Sequence, residues 1–215
     1  MSATTTTAPA PSSLTALISQ SGAADPISAL TTQILHNLQY QHLWTSLRIH
    51  KPSSPSSADG EAASSSSSSP EQLVSASAMP LISGIPPHRL YTHPDEQAYM
   101  LEIGLRDEDL LPERVFVLPT AKGQTWSLRK LAAVFDSLPE PDVPDSSSAA
   151  DAVAADNKEK AAKLAKYYER RRKVNASKEW GGKRLLLAMV DRGIGGDGTV
   201  VYYIVQEGTV KPRQN

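Results

Sequence analysis

Residues 183–212 read KRLLLAMVDRGIGGDGTVVYYIVQEGTVKP. Two apolar runs, Arg184 to Val190 and Thr199 to Val205, flank a glycine-rich bend in which Gly193, Gly195 and Gly198 spell G-x-G-x-x-G. A dinucleotide loop of that spelling needs a strand before it and a helix after it, because the helix N-terminus supplies the amides that hold the pyrophosphate. Here the bend runs into TVVYYIV, a β-branched and aromatic segment that does not make that helix. Asp197-Gly198 is instead a hairpin signal between two apolar strands. Leu185, Leu186, Leu187, Val200, Val201, Ile204 and Val205 make both strands nearly continuous apolar runs, which predicts cover on both faces. The stretch predicts a buried hairpin with an exposed tip, and the glycine motif is accidental.

Upstream, Asp25-Pro26 reads as an N-cap with proline in the first helical turn. Ile27, Leu30, Ile34 and Leu38 follow at steps of three and four, and Leu43, Trp44 and Leu47 extend the apolar surface. The spacing predicts a helix over 26–48. Arg89 to His93 (RLYTH) reads as a short strand, and Pro94 to Gly104 (PDEQAYMLEIG) supports helix or strand. Glu113 to Pro119 (ERVFVLP) reads as a strand. Ser127 caps a helix whose Leu128, Leu131, Val134, Phe135 and Leu138 share one face, and Pro139 stops it. Residues 150–176 are rich in alanine and lysine, with Glu159 and Lys163 at i,i+4. Their stripe of Val153, Leu164, Tyr167 and Val174 is thin, which predicts an inserted helix lying on the surface.

Between these elements the chain turns to low complexity. Residues 1–12 form a Thr/Ala/Pro/Ser tail without the apolar content to offset ordering entropy. Residues 51–79, with serines at all positions from 64 to 69, read as a flexible linker. Its Ser54-Pro55 and Ser69-Pro70 are either phosphorylation sites or a consequence of composition. Residues 139–180 read as linker plus the inserted helix.

The 215 residues carry a net charge of -1, which excludes a globally basic nucleic-acid coat but leaves room for a local patch. With no cysteine there is no disulfide, thiolate zinc site or cysteine nucleophile. No apolar run is long enough for a membrane span, and the N-terminus has neither a secretory h-region nor the arginines of a transit peptide. A soluble intracellular protein is the default expectation. The five histidines lack H-E-x-x-H spacing. His93 to Glu96 gathers three possible ligands but reads equally as a helix start. Arg170, Arg171, Arg172 and Lys173, beside Tyr167 and Tyr168, fit a solvated helix face, a phosphate contact or an import signal. Lys183 stands at the mouth of a core strand, where a lysine usually keeps its head in water.

Residues 185–212 resemble the C-terminal hairpin of the tRNA-intron endonuclease family, whose members end on an apolar strand, an acidic Asp/Gly loop, a V-Y-Y strand and often a V-x-P close. WSLRKLAAVFDSLP (126–139) before a long insertion, GIPPHRLYTHPDEQ (84–97) and RVFVLPT (114–120) are similar to fungal forms of its smallest structural subunit, the Sen-fifteen type. The resemblance covers most of 26–50, 80–139 and 180–212. It implies one α/β endonuclease-like domain over 26–212, a mixed sheet with flanking helices, interrupted by the two linker regions.

The family's catalytic subunits cut RNA with a tyrosine, a histidine and a lysine, which handle the 2′-hydroxyl proton, the leaving oxygen and the transition-state charge. Here Val115 to Lys130 has neither tyrosine nor histidine, and Lys183 alone aligns with the family lysine. The resemblance therefore implies a non-catalytic subunit with no cofactor and no metal. It also implies that the loop of Asp191, Arg192, Gly195, Gly196, Asp197 and Gly198 docks on a catalytic subunit of the other heterodimer, although Arg192 departs from a purely acidic pattern. Val200, Val201, Tyr202, Tyr203, Ile204 and Val205 would pair with a partner's homologous strand. Implied partners are the catalytic and structural subunits, pre-tRNA indirectly, and a second copy when the chain is isolated. Nuclear location follows from that role. The rival expectations are a free-standing RNA-binding module using Arg170 to Lys173, and an active nuclease using His93 and Lys183.

Overall fold

A computed structural model describes residues 13–20, 25–51, 79–140, 158–191, 198–207 and 209–212. In chain order these form α1 (Ser13–Gln20), α2 (Pro26–Tyr40), β1 (Thr45–His50), β2 (Leu81–Ile85), α3 (Pro94–Ile103), a short 3-10 turn at Asp107–Asp109, β3 (Val115–Ala121), α4 (Leu128–Ser137), α5 (Lys158–Ser177), β4 (Arg184–Val190), β5 (Val200–Gln206) and β6 (Thr209–Pro212). The six strands make one sheet in the order β1-β2-β3-β4-β5-β6. Every neighbouring pair is antiparallel except β3 and β4, which run parallel. A parallel pair needs a long crossover, and here the chain between β3 and β4 carries α4 and α5. The expected mixed α/β architecture is present.

The strand pattern explains the layers. Successive side chains of β4 alternate between faces. Leu186, Ala188 and Val190 join Leu30, Ile34, Leu38, Trp44, Val117 and Tyr202 under α2. Leu185 joins Leu81, Leu118, Val134, Phe135 and Val205 under α4. The hairpin strands are therefore covered on both faces, as their near-continuous apolar sequence requires. A separate cluster packs Met100, Leu164, Tyr167, Tyr168, Val174 and Trp180 of α3, α5 and the residues after α5 together.

The helix starts follow the expected capping chemistry. Asp25 Oδ1 accepts from the amides of Ile27 and Ser28, both at 2.9 Å. Ser127 Oγ accepts from the Lys130 amide at 3.2 Å. The 94–104 segment is a helix: His93 Nδ1 accepts from the Asp95 amide at 3.3 Å, and Glu96 Oε2 accepts from the His93 amide at 3.4 Å. Gly104 ends it in the left-handed region at φ 71°.

Four expectations need correction. The first helix ends at Tyr40, not near 48. The amides of Gln41 and His42 both return to the Asn37 carbonyl, Leu43 turns left-handed at φ 54°, and Trp44 N–H reaches the Leu38 carbonyl at 3.0 Å. That reversal inserts Trp44 into the core and leaves Leu43 in solvent. Residues 45–50 then pair with β2.

The 89–93 segment is loop, not strand, and the strand lies earlier, at Leu81–Ile85. Pro86 and Pro87 lack amide hydrogens and end the ladder there. Leu128, placed on the buried face of its helix, is 87% exposed at the first position of α4, whose buried residues lie later, at Val134 and Phe135.

The inserted helix is not a surface appendage. Within α5, Tyr167 and Tyr168 are fully enclosed and even Arg171 is only 5% exposed. Its low overall hydrophobicity misled because the buried stripe includes two tyrosines and an arginine. The expected residues 150–157 of that helix, like the tail at 1–12 and the serine-rich linker over 52–78, lie outside the described residues.

Candidate functional site: the Lys183 cleft and the terminal hairpin

Three arginines and two glutamates meet where the α3–α5 unit joins the sheet. Arg89, from the loop after β2, places Nη1 3.1 Å from Glu96 Oε1 and Nη2 3.4 Å from Glu113 Oε2. Arg171 of α5 reaches Glu113 Oε2 at 3.0 Å, and Arg184 at the start of β4 stands 3.7 Å from Glu113 Oε1. The Tyr167 hydroxyl donates to Glu96 Oε1 at 2.5 Å. Glu96 thus closes the capping box of α3 with one oxygen and anchors two partners with the other.

The electrostatics follow from burial. Desolvation pushes the Glu113 carboxyl up, but Arg171, Arg184 and Arg89 outweigh it and hold it below the ordinary carboxylate range. Glu96 behaves alike, with burial opposed mainly by Arg89 and by the Tyr167 hydrogen bond. Burial raises the Tyr167 phenol far above its usual value, and Glu96 adds to the rise despite the nearby arginines. Both glutamates are ionised and the tyrosine is neutral at pH 7.

Lys183 borders this network, one residue before β4. Its Nζ donates to the Leu138 carbonyl at 2.7 Å and lies 3.3 Å from Glu140 Oε1. Among the described residues no histidine or tyrosine bonds to it. The register explains part of this: Ala121 pairs with Val190 at the far end of β4. The residues after β3 therefore leave the sheet about 20 Å from Lys183, at about 3.3 Å per residue. A base or acid in the segment 121–130 would sit at the wrong end of the sheet.

Arg89, Glu113, Arg171, Lys183 and Arg184, together with loop residues and the starts of β3 and β4, line a cleft of about 1310 Å³. His50, Ser83 and Arg114 form its floor, with His50 Nε2 2.9 Å from Ser83 Oγ and Arg114 Nη1 donating to Ser83 Oγ at 3.1 Å. Arg184 also lies over the Tyr91 ring, 5.7 Å from its centroid.

The terminal hairpin pairs in full register from Arg184↔Gln206 to Val190↔Val200. The base of its loop is fastened on both sides. Lys122 Nζ holds Asp191 Oδ2 at 2.7 Å, and the Gly198 carbonyl accepts from Gln33 Nε2 at 3.2 Å. Gly198 has φ 73° and leads into a strand, which excludes the helix a dinucleotide loop needs. Arg192, Gly195, Gly196 and Asp197 lie outside the described residues.

Tyr202 faces α2, where its hydroxyl donates to Asn37 Oδ1 at 2.6 Å. The strand Val200 to Val205 was expected to be the terminal edge. Instead β6 pairs with β5 from Tyr203↔Pro212 to Gln206↔Thr209, so β6 is the outermost strand on that side.

The basic cluster 170–173 does not form one surface. On a helix, four consecutive residues point in four directions. Arg171 is committed inward to Glu113, Arg170 pairs with Glu179 at 3.3 Å, and Lys173 pairs with Glu169 at 2.7 Å. Arg172 is exposed. His93 is the cap of α3, and among the described residues no group of histidine and acidic side chains is arranged to hold a metal. No helix of the described residues is long and apolar enough to cross a membrane.

The sequence reading missed Arg89 and Glu113, and took Glu96 only as a possible ligand or part of a helix start. A signal for the cluster was present: Leu164, Tyr167, Tyr168, Arg171 and Val174 follow i, i+3, i+4, i+7 spacing, so Arg171 sits on the apolar stripe and must bring an acid with it.

These features define a mixed α/β domain that buries an arginine–glutamate network beside a lone lysine and closes on a hairpin. The chain matches the family model described as Sen15 protein over residues 33–158 and 151–215, and it belongs to that family. It is 32% identical over 206 residues, covering 93% of this chain and 71% of the relative, to a Neurospora crassa protein named "Probable tRNA-splicing endonuclease subunit tsp-1". No solved structure matches it.

Proposed function

We propose that this chain is a non-catalytic subunit of the tRNA-splicing endonuclease. The observation that carries the reading is the setting of Lys183: its ammonium is held by the Leu138 carbonyl and Glu140, and among the described residues no imidazole or phenol is hydrogen-bonded to it. General acid–base cleavage by way of this lysine needs such a group placed beside it, and His50, His88 and Tyr91 of the same cleft are not bonded to it. Family membership and the similarity to a protein named as an endonuclease subunit support the same role.

In this reading the contribution to intron excision is architectural. The chain dimerises with a catalytic subunit through the outer edge of the sheet, where β6 and the Val200–Tyr202 end of β5 present backbone groups for strand addition. The Asp191–Gly198 loop, based on Lys122 and Gln33, docks on the other heterodimer. Without a partner the same edge pairs two copies of the chain. Pre-tRNA is met through the assembled enzyme, and the protein works in the nucleus.

Co-purification of the tagged full chain with its partners tests this. Asp191→Ala/Asp197→Ala is expected to lose one heterodimer while keeping the catalytic subunit bound along the strand edge. Retention of every partner by the double variant would remove the loop from the assembly.

A further inference from the structure

The two covers of the terminal hairpin are unequal. On the α2 side Leu186, Ala188, Val190, Tyr202 and Ile204 are all buried. On the α4 side Leu185 and Val205 are enclosed with Val134, Phe135 and Leu138. Further along the same strands, at the cross-strand pairs Leu187↔Tyr203 and Met189↔Val201, that cover runs out. Leu187, Met189 and Tyr203 are half-buried and Val201 is 43% exposed. Alternation along a strand puts these four on the same face as Leu185 and Val205. A lone exposed apolar side chain is ordinary on a protein surface. Four adjoining ones on a single sheet face are a different case, because an apolar sheet face is stable only under a second layer.

The border of this strip is basic and aromatic. Thr120, the ladder partner of Met189, accepts from Trp126 Nε1 at 3.2 Å, which sets the Trp126 ring at the edge of the strip. Lys130 Nζ lies 5.1 Å from the centroid of that ring. Leu128 and Arg129, in the first turn of α4, are exposed. Neither Arg129 nor Lys130 has an ion-pair partner among the described residues. The nearby acids do not offset them. Asp191 is held by Lys122 at 2.7 Å, and Asp136 lies about 10 Å from Arg129 along the helix axis, at about 1.5 Å per residue. An apolar floor therefore meets a net-positive rim.

Width and charge together specify the occupant. From β4 to β6 the sheet spans two strand spacings, about 10 Å, which is roughly the diameter of one α-helix with its side chains. Such a helix would lie beside α4 in the same layer. The floor takes an apolar stripe at i, i+3, i+4 and i+7, and the rim is complemented by acids flanking that stripe. Tryptophan and arginine are the residue types that carry most energy at interfaces, and both stand at this border. The described helices of this chain are committed elsewhere, α1 to α2, α2 to the opposite face, and α3 to α5. We infer that this strip seats an acidic amphipathic helix supplied by a partner subunit. The presence of a partner rests on the assembly reading; the strip and its rim do not. Strand addition at β6 would not fill the strip, because an added strand extends the sheet in its plane and leaves its faces uncovered.

The test uses the tagged full chain, co-expressed with the other endonuclease subunits, captured, and scored for the subunits retained across a salt series. Arg129→Glu changes an exposed side chain and is expected to weaken retention of one subunit on the order of tenfold, most clearly at low salt. Val201→Lys puts a charge in the floor and should weaken the same subunit comparably, with circular dichroism reporting on its fold. Lys166→Glu, the same kind of charge change on the exposed side of α5, should behave as wild type. In the wild-type complex, p-benzoylphenylalanine in place of Val201 should photo-crosslink to a partner segment whose apolar residues recur at helical spacing between acids. Full retention by both Arg129→Glu and Val201→Lys overturns the inference and leaves the assembly reading standing. A cross-link confined to this chain also overturns it, since the strip is then covered from within. Failure of the wild-type chain to retain any subunit overturns the assembly reading, and the inference with it.

Discussion

Glu113→Gln probes what joins the α3–α5 unit to the sheet. Three guanidiniums converge on this one carboxylate, at 3.0, 3.4 and 3.7 Å, and Glu113 is only 23% exposed. The amide keeps the volume and one acceptor oxygen but removes the charge, leaving Arg89 and Arg171 buried with Glu96 as the remaining enclosed acid. Breaking a buried pair by removing one partner costs about 3–5 kcal/mol. The partial exposure of Glu113 and Arg184 places this case near the lower end, about 3 kcal/mol. For a chain of this size that corresponds to a fall in Tm of roughly 6–12 °C.

Thermal and urea unfolding of the two proteins measure it, and pH supplies an internal check. The folded-state pKa of Glu113 is depressed, so its stabilisation is complete above the unfolded value of about 4.5 and is lost as pH falls through the folded value. Wild-type stability should be flat from neutrality to about pH 5 and then decline. The variant should show a shallower acid decline, with Glu96 as the remaining contributor. A loss under about 1 kcal/mol, or an acid profile unchanged from wild type, would refute the claim that this network holds the two units together.

Tyr167→Phe removes the hydrogen bond to ionised Glu96 and should cost about 1.5–3 kcal/mol by denaturant unfolding. Because burial raises the wild-type phenol, its stability contribution is lost as pH rises above about 10, and the variant should lack that alkaline decline. Gly84→Ala places a methyl 2.7 Å from Leu47 Cδ2 and 3.0 Å from Trp44 Cε3, overpacking the contact between β1 and β2 at a cost of about 1–3 kcal/mol in thermal melts. Lys122→Ala removes an ion pair whose lysine is 63% exposed, so Tm should hardly move, by no more than the 0–1 kcal/mol of a surface pair. A large loss there would mean that the loop base is structural.

What the sequence made legible tracks how local the determining physics is. The hairpin was readable because Arg184–Val190 and Val200–Gln206 are apolar on both faces and Asp197-Gly198 marks the turn. The caps at Asp25 and Ser127 were readable because each acts within three residues of itself. The end of α2 was hidden: Leu43, Trp44 and Leu47 continue an apolar pattern, and only the demand of the core for Trp44 breaks the helix at Tyr40. The arginine–glutamate network was hidden for a stronger reason. Its members come from positions 89, 96, 113, 171 and 184, and no local pattern reports a partner that far away. Counting Arg171 with its basic neighbours gave it to solvent, whereas its spacing from Leu164 and Tyr167 assigns it to the interior.

The non-catalytic reading rests on Lys183 having no hydrogen-bonded imidazole or phenol among the described residues, and one measurement addresses it directly. The purified full chain is incubated with an intron-containing pre-tRNA, alone and after addition to the other endonuclease subunits. The account predicts no cleavage by the chain alone and restored splice-site cleavage on assembly. Accurate cutting at the splice sites by the isolated chain would contradict it.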